Sequence, residues 1–341
     1  RLEIIRLNIP KESKSTIKRA LRYLWMNFVF IHNASKFDAD AIFVQSTPPT
    51  QGAMAAIIKK KKKIPFIYNL QDVFPDSLVG AGMTKENTFI YRVGRRIEDY
   101  TYKNADRIIV ISNDIKQNII NKGVPEEKIV VVPNWIDSEM IHPIEKEDNY
   151  LFDKYHIPKD KFTVVYAGNL GYAQNIEVII KSAEMLKEYQ NIQFVIFGKG
   201  AQEDEYKEMA AGLDNVYFFP IQPYSEVSYV YSVGDVSVVP CKKGFGGSAM
   251  PSKTWSIMAT GTPVLASFDP GTEMEKIIKT EEMGLFSDAD DALGLSDNIL
   301  KLYTDKGLRE KLGKNARTYV KKELNRRVCT QKYIDTIMET V

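Results

Sequence analysis

Residues 162–180 read Phe-Thr-Val-Val-Tyr-Ala-Gly-Asn-Leu-Gly-Tyr-Ala-Gln-Asn-Ile-Glu-Val-Ile-Ile, and this stretch decides the fold. Thr163–Ala167 is a short β-branched and aromatic run, the pattern of a buried strand. It passes through Gly168-Asn169-Leu170-Gly171 into a helical pattern that begins near Gln174. Strand, glycine turn and helix in that order open a βα unit. Glycines at such a junction let backbone N–H groups approach an anion at the positive end of the helix. They equally serve turn geometry alone, so the turn by itself leaves both readings open.

The same alternation extends in both directions. Upstream, strands are expected at Leu2–Leu7, Ala41–Gln45, Phe66–Leu70, Arg107–Ile111 and Ile129–Val132, with helical stretches between them. Beyond Pro143 a polar segment, Ile144–Asn149, precedes a second series at Thr163–Ala167, Ile192–Phe197, Val216–Phe219, Val236–Val239 and Pro263–Ala266. Repeated βα units mean parallel sheets, and 341 residues suit two domains better than one. The expected domains are residues 1–143 and 150–321, with a final helix over 322–341 packing back on the first. Both are α/β and Rossmann-like, facing each other across a cleft. No glycine precedes Gly52, so the first domain is read as lacking its opening βα unit, with its glycine turn.

Composition narrows the class. Hydrophobic residues at 44% and charged residues at 26% fit an ordinary globular chain. Cys241 and Cys329 stand far apart, which suggests neither a disulfide framework nor a zinc site and fits a reducing cytoplasm. No apolar run is long enough to span a bilayer, and the charged start is unlike a signal peptide. The net charge of +2 conceals an asymmetry: residues 1–140 hold 22 Lys and Arg against 15 Asp and Glu, and the remainder hold 24 against 29. One half at +7 and the other at −5 suggest a face directed at something anionic, or an accident of surface composition.

A second glycine-rich segment strengthens the anion reading. Gly244-Phe245-Gly246-Gly247-Ser248-Ala249-Met250-Pro251-Ser252-Lys253 follows the strand Val236–Val239 and leads into a helix over Ser252–Thr260. Proline suits a first helical turn, and Lys253 opposes the helix dipole unless an anion offsets it. Flexible glycines, a serine hydroxyl and a lysine together suit a diphosphate. The bland alternative is a mobile loop followed by a solvated lysine.

These segments resemble glycosyltransferase family 4. The resemblance is carried in order by Val131-Val132-Pro133-Asn134-Trp135-Ile136-Asp137, Tyr166–Gly171, Phe197-Gly198-Lys199-Gly200, and Pro251-Ser252-Lys253 through Ala259-Thr260-Gly261-Thr262-Pro263-Val264. The branch that builds capsule, colanic-acid and O-antigen repeat units is the most similar. The resemblance implies the GT-B fold and retaining, metal-independent transfer without a cofactor. The donor would be a nucleotide-diphosphate sugar held mainly by the second domain. It further implies that Gly168, Asn169 and Gly171 face the diphosphate with Ser252 and Lys253 across from them, and that Lys199, Gly200 and the Pro220–Pro223 turn lie near the nucleobase; Gly246 and Gly247 are donor contacts expected from the glycine-rich segment itself. Members of the family often carry two glutamates eight positions apart; alignment on Met258-Ala259 puts Ser248 and Ser256 there. Serine can hydrogen-bond a sugar hydroxyl but brings no carboxylate charge. The basic residue common after the first glycine turn is replaced by Tyr172, Ala173 and Gln174, which leaves Lys253 to supply the cation.

In the first domain, Leu70-Gln71-Asp72 leaves a strand at its carboxyl end, where open α/β sheets bind ligands. Gln71, which matches a histidine common in the family, and Asp72 are the candidate sugar contacts and join Lys253 as catalytic candidates; Asp72 could instead cap the following turn. Asp38-Ala39-Asp40 is read as a loop and not as a metal motif, and the three histidines have no ligand spacing.

Lys11, Lys14, Lys18, Arg19 and Arg22 alternate with Ile17, Leu21, Leu24 and Trp25, and Lys59–Lys63 form a second basic cluster. Basic residues beside an interfacial tryptophan suit an anionic lipid surface. They would bring the enzyme to the inner face of the cell membrane and to a polyprenyl-diphosphate-linked acceptor. Lys59–Lys63 could equally be a solvated helix end. Nucleic acid is not an expected partner, because no stacking platform accompanies the lysines. Two other functions fit the same features: a nucleotide-sugar epimerase, or a non-catalytic nucleotide-sugar-binding subunit.

Overall fold

The structure, a computed structural model of the chain, describes residues 3–9, 11, 15–80, 84–248 and 250–341, without the side chains of residues 16, 17, 19, 20, 80 and 248. It divides into two compact units, residues 1–132 with 332–341, and residues 133–331.

The first unit is built on a four-stranded parallel sheet in the order β1 (Ile42–Gln45), β2 (Phe66–Leu70), β3 (Arg107–Val110) and β4 (Ile129–Val131). All residues of β2 are buried, as expected for a central parallel strand covered on both faces. Around the sheet lie the helices Thr16–Ala34, Gln51–Lys62, Asp76–Gly80, Phe89–Asn104 and Asn113–Asn121. The strand expected at Leu2–Leu7 does not form over the described residues 3–7. A strand is completed by a neighbour's backbone, and Glu3–Arg6 are exposed with no ladder partner.

The second unit carries a six-stranded parallel sheet. Its strands are β5 (Phe162–Asn169), β6 (Ile192–Lys199), β7 (Val216–Phe219), β8 (Val236–Pro240), β9 (Val264–Phe268) and β10 (Gly284–Asp288), in the spatial order β10-β9-β8-β5-β6-β7. Chain order runs outward from β5 on one side and from β8 on the other. The β5–β8 junction is therefore the topological switch point, where the crevice beyond the strand ends is the expected ligand site. Tyr166, Phe194, Phe197 and Phe268 are fully buried in this unit. β10 went unrecognised in the sequence because its run is short and mostly half-buried or polar.

The division between the units falls at Val132–Pro133 and not in the polar segment after Pro143. Residues 133–149 are tied to the second unit by their backbone: Ile136 N–H donates to Leu324 O (2.9 Å), His142 N–H to Ser228 Oγ (3.2 Å) and Ile144 N–H to Ser232 Oγ (3.0 Å). The C-terminal stretch is two helices, Lys306–Glu323 and Arg326–Met338, broken near Asn325. No helix among the described residues is long and apolar enough to cross a membrane.

Candidate donor site

The glycine turn Gly168–Gly171 ends β5 at the switch point. Tyr166, two residues before Gly168, is 1% exposed, and a buried phenol needs partners. Its hydroxyl donates to Asn169 O (2.7 Å) and accepts from Lys253 Nζ (2.9 Å). Burial, reinforced by Tyr231 and Tyr206, pushes this phenol far above its ordinary value, so it remains protonated. The ammonium also lies 4.1 Å from the Tyr166 ring centroid, a cation–π distance.

Gly168 has φ +147°, and a Cβ there would come within 2.7 Å of Lys253 Nζ. Glycine at this position keeps the ammonium's place open. Lys253 itself starts the helix Lys253–Ala259, and among the described residues no carboxylate is recorded as its ion-pair partner. Loss of hydration lowers its ammonium to about 8. Held as a cation next to a tyrosine and a bare backbone, against the cost of its own burial, Lys253 is a candidate anion contact.

Gly168, Ser252, Lys253 and Ser256 line one cavity of about 360 Å³. Its remaining wall is mainly apolar: Phe197 from β6, Ile221, Tyr224 and Val227 from the segment after β7, and Tyr231. One charged corner and an apolar wall match a ligand with a phosphate end and a flat end. Gln222 also lines it, with its Nε2 donated to Tyr155 Oη (2.9 Å). Ile221 and Gln222 are thus the residues of the Pro220–Pro223 turn that reach the wall. Tyr166, Tyr224, Val227 and Tyr231 were missed. The available signal was a tyrosine inside an otherwise apolar strand, whose hydroxyl had to be satisfied.

The other candidates stand apart from this cavity. Asn169 and Gly171 stabilise their own turn, with Asn169 Nδ2 donating to Gln174 Oε1 (3.2 Å) and Gly171 O accepting from Tyr206 Oη (3.3 Å). Lys199 is exposed, its carbonyl taken by Leu170 N–H (3.0 Å), and Gly200 follows β6 outside the lining. Gly246 and Gly247 do not line the cavity either, and the Gly246 amide points at Asp269. The Ser248 side chain lies outside the described residues.

In the first unit, Gln71 N–H donates to Ser46 Oγ (3.1 Å) and its Nε2 to Asn69 Oδ1 (2.9 Å). The side-chain oxygen Oε1 is thereby the end of Gln71 left to accept. Asp72 is exposed. Lys18 is exposed, Arg22 half-buried and Trp25 50% exposed beside Phe28; the Arg19 side chain lies outside the described residues. Of the second basic cluster, Lys59 is engaged by Asp106 (2.6 Å) and Lys62 by Phe37 O.

Comparison with known proteins bears on the family and the fold. Residues 148–319 match the family described as glycosyl transferases group 1, and residues 1–135 match a glycosyl transferase 4-like domain. The chain is 27% identical over 303 residues to the protein of Pseudomonas aeruginosa named "Probable glycosyltransferase WbjE", covering 86% of this chain and 75% of that one. It is 23% identical over 329 residues to the capsular polysaccharide biosynthesis glycosyltransferase CapM of Staphylococcus aureus, covering 94% and 81%. The structure of Anabaena HepE in complex with UDP superposes with a TM-score of 0.78 at 14% identity, over 94% of this chain and 84% of that one. The fold is the two-domain GT-B fold of such enzymes.

Proposed function

The chain belongs to the glycosyl transferases group 1, and from that premise we propose that it transfers a sugar from a nucleotide-diphosphate donor to a saccharide carried on polyprenyl diphosphate, in surface-polysaccharide synthesis. The observation that carries the donor half is Lys253, a desolvated cation facing a cavity whose other wall is apolar. The name of CapM supports the polysaccharide half, and HepE was solved with UDP bound.

In this reading the diphosphate meets Lys253 and Ser252, while Phe197, Ile221 and Tyr224 receive the nucleobase. Ser256 is left to hydrogen-bond a ribose hydroxyl. Gln71 Oε1 and Asp72 are assigned to sugar hydroxyls. Transfer is retaining: the anomeric C–O bond to phosphate breaks, the acceptor oxygen bonds to the same face, and its proton passes to the departing phosphate oxygen. Charge then accumulates on the leaving diphosphate, and the ammonium of Lys253 opposes it without a metal ion.

The test is transfer from a panel of UDP-, GDP-, ADP- and dTDP-sugars to a lipid-linked acceptor, with product configuration read by NMR and chelator added in parallel. Retention that is indifferent to chelator is expected. Inversion of the anomeric centre would overturn the mechanism, and an isomerised nucleotide sugar formed without acceptor would point to an epimerase.

A further inference from the structure

The loop after β8 has its own anion, and that anion belongs to the protein. Asp269, the residue after β9, accepts Gly244 N–H at both carboxylate oxygens (2.9 and 2.8 Å) and Gly246 N–H at Oδ2 (2.8 Å). Its own carbonyl accepts from Thr272 Oγ1 (2.8 Å), which fixes its backbone. Converging main-chain amides form a concavity for negative charge, and here a carboxylate occupies it.

Between the two amides, Phe245 meets Tyr172 edge-on at 6.2 Å, and Lys242 Nζ lies 4.4 Å from the same ring. Lys242 N–H also donates to Ala173 O (3.0 Å). The loop is thus held to β9 by Asp269 and to the turn after β5 by Tyr172 and Ala173. At Gly246 a Cβ would stand 3.0 Å from Phe268 Cδ1 and 3.1 Å from Asp269 Oδ2, so even a methyl group would crowd the latch.

We propose that Asp269 is a positioning residue of the donor site: its carboxylate fills the amide nest of the Gly244–Gly246 loop and fixes that loop against the β5 turn, leaving the diphosphate to Lys253. A second anion in the same nest would be repelled by the first. The donor-binding part of this proposal rests on the function proposed above. The latch does not.

The experiment uses the full chain labelled with 15N-glycine and follows amide exchange, which needs no donor. Gly244 and Gly246 should exchange at least about tenfold more slowly than Gly247, and Asp269→Asn should abolish that difference, since hydrogen bonds to charged groups are the stronger class. Adding UDP should leave both amides protected in the unchanged protein and should not restore protection in Asp269→Asn. In transfer assays Asp269→Asn and Gly246→Ala should each raise the donor KM severalfold with kcat kept within about twofold. Their combination should do no more than either alone, because both act on one contact. Exchange rates indifferent to Asp269→Asn would overturn the latch. UDP restoring protection in that variant would overturn the division of labour, because the nest would then bind diphosphate. Changed exchange with an unchanged donor KM would overturn the positioning role, and exchange behaving as expected in a protein without transferase activity would separate this proposal from the functional one.

Discussion

Lys253 pays for its position, since burial opposes the charge it must carry. An added diphosphate favours the ammonium, so its value in the complex lies above that of the free protein. Binding should therefore be at full strength below about pH 8 and weaken as pH rises through that value, by up to about tenfold per unit. Calorimetric titration of UDP from pH 6.5 to 9.5 checks this, and a flat profile would contradict it. Lys253→Ala should weaken UDP about ten- to a hundredfold, the range of a charge-assisted hydrogen bond. Gly168→Ala should weaken it as well, because the new Cβ meets Lys253 Nζ, and should lower the melting temperature, because φ +147° strains any L residue; an unaltered UDP affinity would count against the geometry. Lys253 was legible in the sequence because glycines, proline and serine precede it within ten residues. Tyr166 and Asp269 were not, since Lys253 lies 87 residues from the first, and Gly244 and Gly246 lie 25 and 23 residues from the second.

Among the elements, the short helix Asp76–Gly80 matters beyond its length, because it follows directly on Gln71 and Asp72. Lys122 anchors it, reaching Asp76 (2.7 Å) and the nearly buried Glu98 (3.0 Å), which also accepts from Tyr102 Oη (2.6 Å) and pairs with Arg95. Burial pushes the Glu98 carboxyl up even against these cations. For Asp76 burial also acts upward, but Lys122, Asn118 and Tyr91 hold it below its ordinary value. Lys122→Met would leave Glu98 buried beside fewer cations and should cost about 3–5 kcal/mol, read by urea denaturation. Because the Asp76 carboxyl is depressed, its contribution is present at neutral pH and lost as pH falls through the folded value. The penalty of Lys122→Met should accordingly shrink in acid, and a constant penalty from pH 7 to 3 would exclude this origin. Strands were legible as elements wherever an apolar run is buried on both faces, as in β2 and β5. The run near residue 5 carries a similar local pattern without a neighbour to pair with, and Gly284–Asp288 becomes a strand only because β9 lies beside it.

For the whole molecule, the helix Thr16–Ala34 exposes Leu21, Leu24, Trp25 and Phe28 by 50 to 66%, at helical spacing and alongside Lys18 and Arg22. If this side meets an anionic membrane, as the proposed acceptor requires, the chain should co-sediment with phosphatidylglycerol vesicles and detach at high salt. Leu24→Glu should weaken binding more than Lys59→Ala, whose charge already faces Asp106; equal binding to neutral vesicles would remove the idea. By itself, the sequence determined the two α/β units, the strand–turn–helix at Gly168 and the lysine after the second glycine loop. Each of these is written in local periodicity and in residue types that act on their immediate neighbours. Tertiary structure alone decided which cavity Lys253 faces, which tyrosine holds it, and that the amides of the glycine loop are satisfied by Asp269. Those contacts join the separate strand ends of β5, β8 and β9, and hydrogen bonding there depends on distance in space, which the order of residues does not record.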